Sequence, residues 1–338
     1  MDGAAADIRS WERLESGTIR SMHPTTDILV QAFGLGRLIE PPTRVAEAWS
    51  NEVYAATTST GRYAIKVLAP ATHRVIEHAM TVEAAVLAVG AVPMAEPVPD
   101  TAGRWLTTLP TGEIARCHRW VDGIPASADP PSIGTARDVG RSVGAIHALG
   151  LPGGDTGQLE PPDLGRWRAD LKREFRGASA FRRLTSTVLA AARNLESLRA
   201  ANLPMIYSHR DIDPKNAVIQ RDGRVALLDW DYAGPVVAAG ELVEAAMSFC
   251  DTDQLVAEFV RSYVDAGGPV REIPPLALAA QQADFDWLLR NVERCNSTDP
   301  SERELGERLT PRLVAEFEPG VAALDRCARL INRLLRTG

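Results

Sequence analysis

The sequence predicts an α+β fold in two parts, a small strand-rich lobe followed by a larger, mainly helical one. Three observations lead there. Before residue 120, strand-like runs flank a single helical stretch: WSNEVYAATTSTGRYAIKVLAP reads as a strand pair, and IARCHRWVDGIP as a strand entering a turn. After residue 130 helical patterns dominate, as in TARDVGRSVGAIHALG, where Val139, Val143 and Ile146 share one face. Inside that second part lies a compact exception, residues 207–234, which reads as a loop, a strand, a turn and a second strand ending in two acids.

Composition narrows the classes. The 338 residues are 45% hydrophobic and 24% charged, a globular balance with ample material for a core. A net charge of −7 and a pI near 5.5 argue against nucleic acid or an anionic membrane as partner, and are compatible with a cationic ligand. No apolar run approaches the roughly 18 residues of a membrane span. The first residues carry acids and lack an apolar core, so they are not read as a signal peptide. Cys117, Cys250, Cys295 and Cys327 are far apart and lack metal-ligand spacing; they are expected to be reduced thiols of a cytoplasmic protein.

The 207–234 stretch carries the chemistry. HRDIDPKN sets Asp211 five residues ahead of Asn216, and Pro214 pushes Asp213 towards an extended conformation, so this is a loop. AVIQ follows as a strand, Asp222-Gly223 supplies the turn, and VALLD returns as an apolar strand. The hairpin brings Asp229 back beside Asn216. A base candidate and two hard-oxygen metal-ligand candidates therefore converge at one end of it. Phosphoryl transfer uses such a set, with one carboxylate to take the acceptor proton and an amide oxygen and a carboxylate to hold Mg²⁺.

On His209, Asp211, Asn216, Asp229, Trp230 and Asp231 the chain resembles the aminoglycoside phosphotransferase family of small-molecule kinases. The resemblance extends from about residue 28 to 335 and is specific in 207–234. It implies a bilobal protein-kinase-like fold, ATP (or GTP) and Mg²⁺ as cofactors, and a small hydroxylated acceptor. It makes Asp211 the catalytic base, Asn216 and Asp229 the Mg²⁺ ligands, and His209 a brace for the loop. Asp231 is a candidate for metal or acceptor contact. Arg210 and Asp213 depart from the family, which usually has Gly after the His and often a second His before the Pro.

The remaining elements follow in order. Residues 1–27 form a polar arm, 28–119 the nucleotide-binding lobe, and 120–338 the lobe of the catalytic loop and acceptor site. ILVQAFGLG is a short helix closed by Gly34 or Gly36. The strand pair ends in Ala-Ile-Lys, which places Lys66 against the nucleotide α/β-phosphates. Ser50, Asn51 and Glu52 replace a Gly-rich turn, with Ser50 and Asn51 as candidate phosphate contacts. RVIEHAMTVEAAVLAVG is a helix with Ile76, Met80, Ala84 and Leu87 as its apolar stripe. On it Glu83 is expected to pair with Lys66, with Glu77 as the competitor. In the resembling family the hinge that meets adenine corresponds to Arg119, Trp120 and Val121.

In the second lobe, His147 is assigned to structural support of the catalytic loop. Two helical patterns span 163–201, the first capped by Asp163 and carrying a basic face of Arg166, Arg168, Lys172, Arg173 and Arg176. Glu241 is read as a structural brace. The tail helices hold Asp251, Asp284, Asp286 and Glu293, candidates for an acceptor pocket that attracts ammonium groups, and equally readable as exposed helix-face acids. The favoured acceptor is an aminoglycoside-like or other cationic antibiotic or natural product. The alternatives are a metabolite kinase acting on a sugar, amino sugar, choline or homoserine, and a non-catalytic nucleotide-binding module.

Overall fold

The computed structural model describes residues 26–45, 51–68, 76–110, 112–161, 164–279 and 285–337. Ser50, Asp163, Asp284 and nearly all of the expected N-terminal arm lie outside them. In chain order the helices are α1 (Thr26–Ala32), α2 (Ile76–Val89), α3 (Ile133–Ala148), α4 (Leu164–Asp170), α5 (Ala178–Arg183) and α6 (Thr185–Ala200). They continue with α7 (Ala238–Phe249), α8 (Asp253–Asp265), α9 (Phe285–Cys295) and α10 (Pro300–Thr337). The strands are β1 (Thr43–Arg44), β2 (Glu52–Thr58), β3 (Gly61–Val67), β4 (Pro97–Val98), β5 (Thr107–Thr108) and β6 (Ile114–Arg119). After them come β7 (Ile124–Pro125), β8 (Pro152–Asp155), β9 (Pro204–Ser208), β10 (Ala217–Ile219), β11 (Val225–Leu227) and β12 (Gly234–Val236).

Contacts gather these elements into two compact units. One holds the described residues up to Pro130 together with Asp211–Gly234; the other holds Pro131–Arg210 and the described chain from Pro235 onward. The division therefore falls at Pro130 and not near residue 120, and the catalytic hairpin groups with the strand-rich unit. Backbone pairing is the reason. Ile124 and Pro125 of β7 pair with Ile219 and Val218 of β10, and the Leu227 N–H donates to the Pro93 carbonyl at 2.9 Å.

In the strand-rich unit the main sheet runs β1-β2-β3-β6-β4, with β5 also on β6. Side chains alternate across it. Tyr63, Ile65 and Val67 of β3, with Ala115 and Cys117 of β6, enter an apolar cluster with Leu29 and Val30 of α1 and with Phe33 just beyond it. Helix α1 closes at Gly34 (φ +60°), whose N–H donates to Gln31 O while Leu35 N–H donates to Val30 O. This is the left-handed cap that favours glycine. The other face of the sheet carries Lys66, Arg116 and His118. Facing that layer, α2 buries Ile76, Ala79, Val82, Glu83 and Val86, so the expected stripe of Met80, Ala84 and Leu87 is corrected to a neighbouring face. Most positions of this helix are apolar, and its orientation follows Glu83, which turns inward to meet the charged face of β6.

The other unit is helical around a small sheet, β12-β9-β8. Val139, Val143 and Ile146 of α3 are fully buried, and α3 packs on α8. Gly140 and Gly144 allow that approach, since a Cβ on either would collide with the Phe259 or Tyr263 carbonyl. The region 163–201 holds three helices instead of two. The first ends at Asp170, so Lys172, Arg173 and Arg176 do not continue its face, and Gly177 at φ +95° precedes α5. Trp167, Phe181, Val188, Leu288 and Val292 form an apolar cluster in this unit. Helix α10 runs through Pro311 and Pro319. No described helix is long and apolar enough to cross a membrane.

Candidate active site

The catalytic loop opens where β9 ends. His209 is fully buried, and Arg210 adopts a left-handed conformation (φ +67°) that non-glycine residues seldom take. Its N–H donates to Glu241 Oε1 at 2.7 Å. Glu241 Oε2 in turn meets His147 Nε2 at 2.7 Å, and His147 Nδ1 lies 3.1 Å from the Tyr263 hydroxyl. Burial works against the charge of Glu241, yet the His147 contact, Ser208 and the Arg210 N–H outweigh it and hold its pKa below the ordinary value. A buried chain of polar groups thus fixes the backbone just before Asp211.

Beyond it, Asp213 accepts from the Lys215 N–H at 2.9 Å, and Pro214 begins the single helical turn Pro214–Asn216. That turn carries Asn216 back under Asp211. The Asn216 Nδ2 donates to the Asp211 carbonyl at 3.1 Å and to Asp211 Oδ2 at 2.8 Å. With the amide nitrogen engaged twice, the amide oxygen is the end of Asn216 left to face a cation. Lys215 Nζ lies 3.0 Å from Asp211 Oδ1.

The hairpin delivers the second carboxylate. Ala217 pairs with Leu227, and the Leu228 N–H donates to Asn216 O at 2.8 Å, which sets the chain entering Asp229 beside Asn216. Asp229 takes a left-handed conformation (φ 60°, ψ 60°), and its side chain is 38% exposed. Backbone strain at a non-glycine residue persists only where surrounding contacts hold it, as these do. Among the described residues no three His, Cys, Asp or Glu side chains cluster as a metal cage. Asn216 and Asp229 fit Mg²⁺, which binds through one or two protein oxygens and completes its shell with water and phosphate.

Behind this pair lies a charged layer. Lys66 and Arg116 are directly opposed across β3 and β6, two like charges that require acids between them. Asp231, fully buried, supplies both oxygens: Arg116 Nη1 donates to Oδ1 at 2.8 Å, while Lys66 Nζ (2.7 Å) and Asn51 Nδ2 (3.0 Å) donate to Oδ2. Lys66 also reaches Asp229 Oδ1 at 2.8 Å. Burial opposes the lysine's charge, but the two aspartates outweigh it and raise its pKa. Of the three N–H bonds of the ammonium, two are engaged here, and the third is left to meet a phosphate.

One expectation is corrected by this layer. Glu83 does not pair with Lys66; it bonds Arg116 Nη2 and lies 3.0 Å from His118 Nε2. Arg116 and His118 sit two apart on β6 and point at α2, so they reach Glu83 first. Burial would raise the Glu83 pKa, yet Arg116 and His118 bring it down to about 2. Burial and the Arg116 charge lower that of His118. Asp231 is fully buried and gives both oxygens to Arg116, Lys66 and Asn51. Asn51 is buried and its amide nitrogen donates to Asp231, so its side chain braces the layer. Glu77 is exposed.

At the hinge the Arg119 N–H donates to Glu96 O and the Trp120 N–H to Arg62 O. Among the described residues the Val121 N–H makes no backbone hydrogen bond, which leaves it as the amide able to read a base edge. Arg119, Trp120 and Val121 also line a cavity of about 540 Å³ with Met94, Glu96 and Gln220. Asp251 is exposed at the end of α7 and Glu293 half-buried on α9, both in the other unit; Asp286 lies on α9, its side chain undescribed. Lys215, Arg116 and His118 had no place in the sequence reading. The signal for the last two was present, since they alternate with Ala115 and Cys117 and give a strand a polar face that still needs a partner.

The sequence profile of the phosphotransferase enzyme family matches residues 42–278. The chain belongs to that family. This phosphotransferase moves a phosphoryl group to a hydroxyl of a small molecule. Among solved structures it is similar to a spectinomycin phosphotransferase in complex with ADP and spectinomycin. That match has a TM-score of 0.63 at 13% identity, over 84% of this chain and 94% of that one. An amicoumacin kinase in complex with AMP-PNP and Ca²⁺ matches at TM-score 0.55 and 15% identity, covering 87% of this chain and 94% of its own. The choline kinase of Streptococcus pneumoniae matches at 0.54 and 15%, covering 86% and 98%. At such identities the likeness establishes the fold, the α+β protein-kinase-like architecture. No curated protein matches the sequence.

Proposed function

We propose that the phosphotransferase carries the γ-phosphate of ATP, with Mg²⁺, to a hydroxyl of an aminoglycoside-like or other cationic natural product, with Asp211 as base. The observation that carries this is the pair of hydrogen bonds that Asn216 Nδ2 donates to the Asp211 carbonyl and to Asp211 Oδ2, which joins the base and a metal ligand in one rigid turn. Asn216 Oδ1 and Asp229 would hold the ion, whose chemistry is to neutralise charge on the β- and γ-phosphates. Lys66 contributes its remaining N–H to the phosphates and stays charged because Asp229 and Asp231 surround it. The Val121 N–H is available to the adenine edge. Asp211 orients the acceptor hydroxyl and receives its proton, a role worth about 10²–10⁴ in rate.

Support for a cationic acceptor comes from the net charge of −7 and from spectinomycin and amicoumacin as ligands of similar structures. The choline kinase among those structures favours the metabolite reading as the second choice. The test couples ADP release to a panel of hydroxylated acceptors, pairing aminoglycosides and peptide antibiotics with glucosamine, choline and homoserine. Turnover confined to an antibiotic supports the proposal, and turnover confined to a metabolite moves the enzyme to the second reading. Acceptor-dependent turnover that survives Asp211→Ala would remove the mechanism.

A further inference from the structure

We infer that Lys215 is a third cationic group of the phosphoryl-transfer site, one that holds Asp211 in this structure and moves onto the transferring phosphoryl group when nucleotide binds. The inference rests on the reading of Asp211 as base. That reading meets a difficulty in the geometry: both carboxylate oxygens of Asp211 are engaged, Oδ1 by Lys215 Nζ at 3.0 Å and Oδ2 by Asn216 Nδ2 at 2.8 Å. A donor held on a carboxylate oxygen lowers its basicity, so the oxygen that takes the acceptor's proton works best once its donor has moved away. Asn216 cannot release it, because it is buried and its amide is bonded a second time to the Asp211 carbonyl. Lys215 can. Its side chain is 56% exposed on a flexible stem, while its backbone is fixed by the N–H bond to Asp213 Oδ1 in the turn begun by Pro214.

Charge supplies the reason to move. A phosphoryl group in line with Asp211 and Asp229 approaches two carboxylates, and Lys66 serves it from the sheet side, already shared between Asp229 and Asp231. An ammonium is attracted more strongly to the several charges of a triphosphate than to one carboxylate at equal distance. Lys215, anchored one residue from Asn216, is the cation placed to balance that charge from the loop side. The step then closes. The acceptor oxygen forms a bond to the γ-phosphorus, and the bond from phosphorus to the β–γ bridging oxygen breaks with its electron pair leaving on ADP. The acceptor proton passes to Asp211 Oδ1, and Lys215 remains charged throughout.

The experiment compares binding of AMP-PNP and of ADP, each with Mg²⁺, by calorimetry in the parent protein, Lys215→Met and Lys215→Arg. A contact to the transferred group makes Lys215→Met bind AMP-PNP about tenfold more weakly while ADP binding is unchanged, with most of the loss restored in Lys215→Arg. Acceptor-independent ATP hydrolysis should fall with it, in kcat more than in KM. Equal effects on both nucleotides, or none, overturn the role of Lys215 and leave Asp211 as base untouched. Failure of the parent protein to bind either nucleotide overturns both. Urea unfolding of Lys215→Met separates loss of contact from loss of fold, since an exposed lysine is expected to leave the midpoint unchanged.

Discussion

Replacing Arg116 with Met isolates the charged layer behind the active site. Arg116 is 1% exposed and bonds two fully buried carboxylates, Glu83 and Asp231. Asp231 keeps Lys66 and Asn51 after the change, whereas Glu83 keeps only His118. The cost therefore concentrates on Glu83, and protonation limits it. At pH 7, neutralising a carboxyl of ordinary pKa 4.5 costs about 3 kcal/mol, at 1.36 kcal/mol per pH unit. That figure falls at the lower edge of the range for breaking a buried pair by removing one partner. The assay is urea unfolding followed by circular dichroism at pH 7 and pH 5. Arg116→Met should lose about 3 kcal/mol at pH 7 and about 1 kcal/mol at pH 5, where the proton is cheaper. The double variant Arg116→Met/Glu83→Leu should recover most of the deficit at pH 7. A single variant within about 0.5 kcal/mol of the parent, or a double variant no more stable than the single, refutes the assignment.

Three further outcomes follow from the same geometry. His118 and Glu83 both have folded pKa values below their ordinary 6.5 and 4.5, so the unfolded chain binds more protons there. Their contribution is complete above about pH 6.5 and is lost as pH falls, first through His118 and then through Glu83; a parent-minus-His118→Gln stability difference that is flat from pH 7 to 5 contradicts this. Gly140→Ala drives a methyl into the Phe259 carbonyl between α3 and α8 and should cost about 1–3 kcal/mol by thermal unfolding, with an unchanged Tm counting against the packing described. Glu241→Gln keeps the shape but loses the charge facing His147 and the Arg210 N–H. It should lower kcat with nucleotide affinity preserved, and a purely global destabilisation with normal kcat would count against a loop-bracing role.

What could be read from the chain, and what could not, follows from distance along it. The loop and hairpin of residues 207–234 are local: Pro214, the Asp222-Gly223 turn and the alternation of AVI with VAL decide them within a few residues. The inner face of α3 was equally plain, because Val139, Val143 and Ile146 stand out against polar neighbours. The face of α2 was not, since Ala79, Met80, Val82, Ala84, Ala85, Val86 and Leu87 offer no polar side to exclude. Its orientation depends on Arg116 and His118, more than thirty residues further on. The same distance misled the pairing of Glu83. A lysine and a glutamate on neighbouring elements look like partners until a second cation on the next strand competes for one of them. Lys215 was overlooked for a different reason: its tie to Asp211 is a one-turn contact that a loop permits but does not announce.

The most direct test of the central claim is mass spectrometry of the acceptor panel after incubation with ATP and Mg²⁺, using the parent enzyme and Asp211→Ala side by side. The account predicts a phosphate monoester on one class of hydroxylated small molecule, formed by the parent and reduced about 10²–10⁴-fold in rate by the variant, with nucleotide affinity retained. The same monoester formed at parental rate by Asp211→Ala would contradict it.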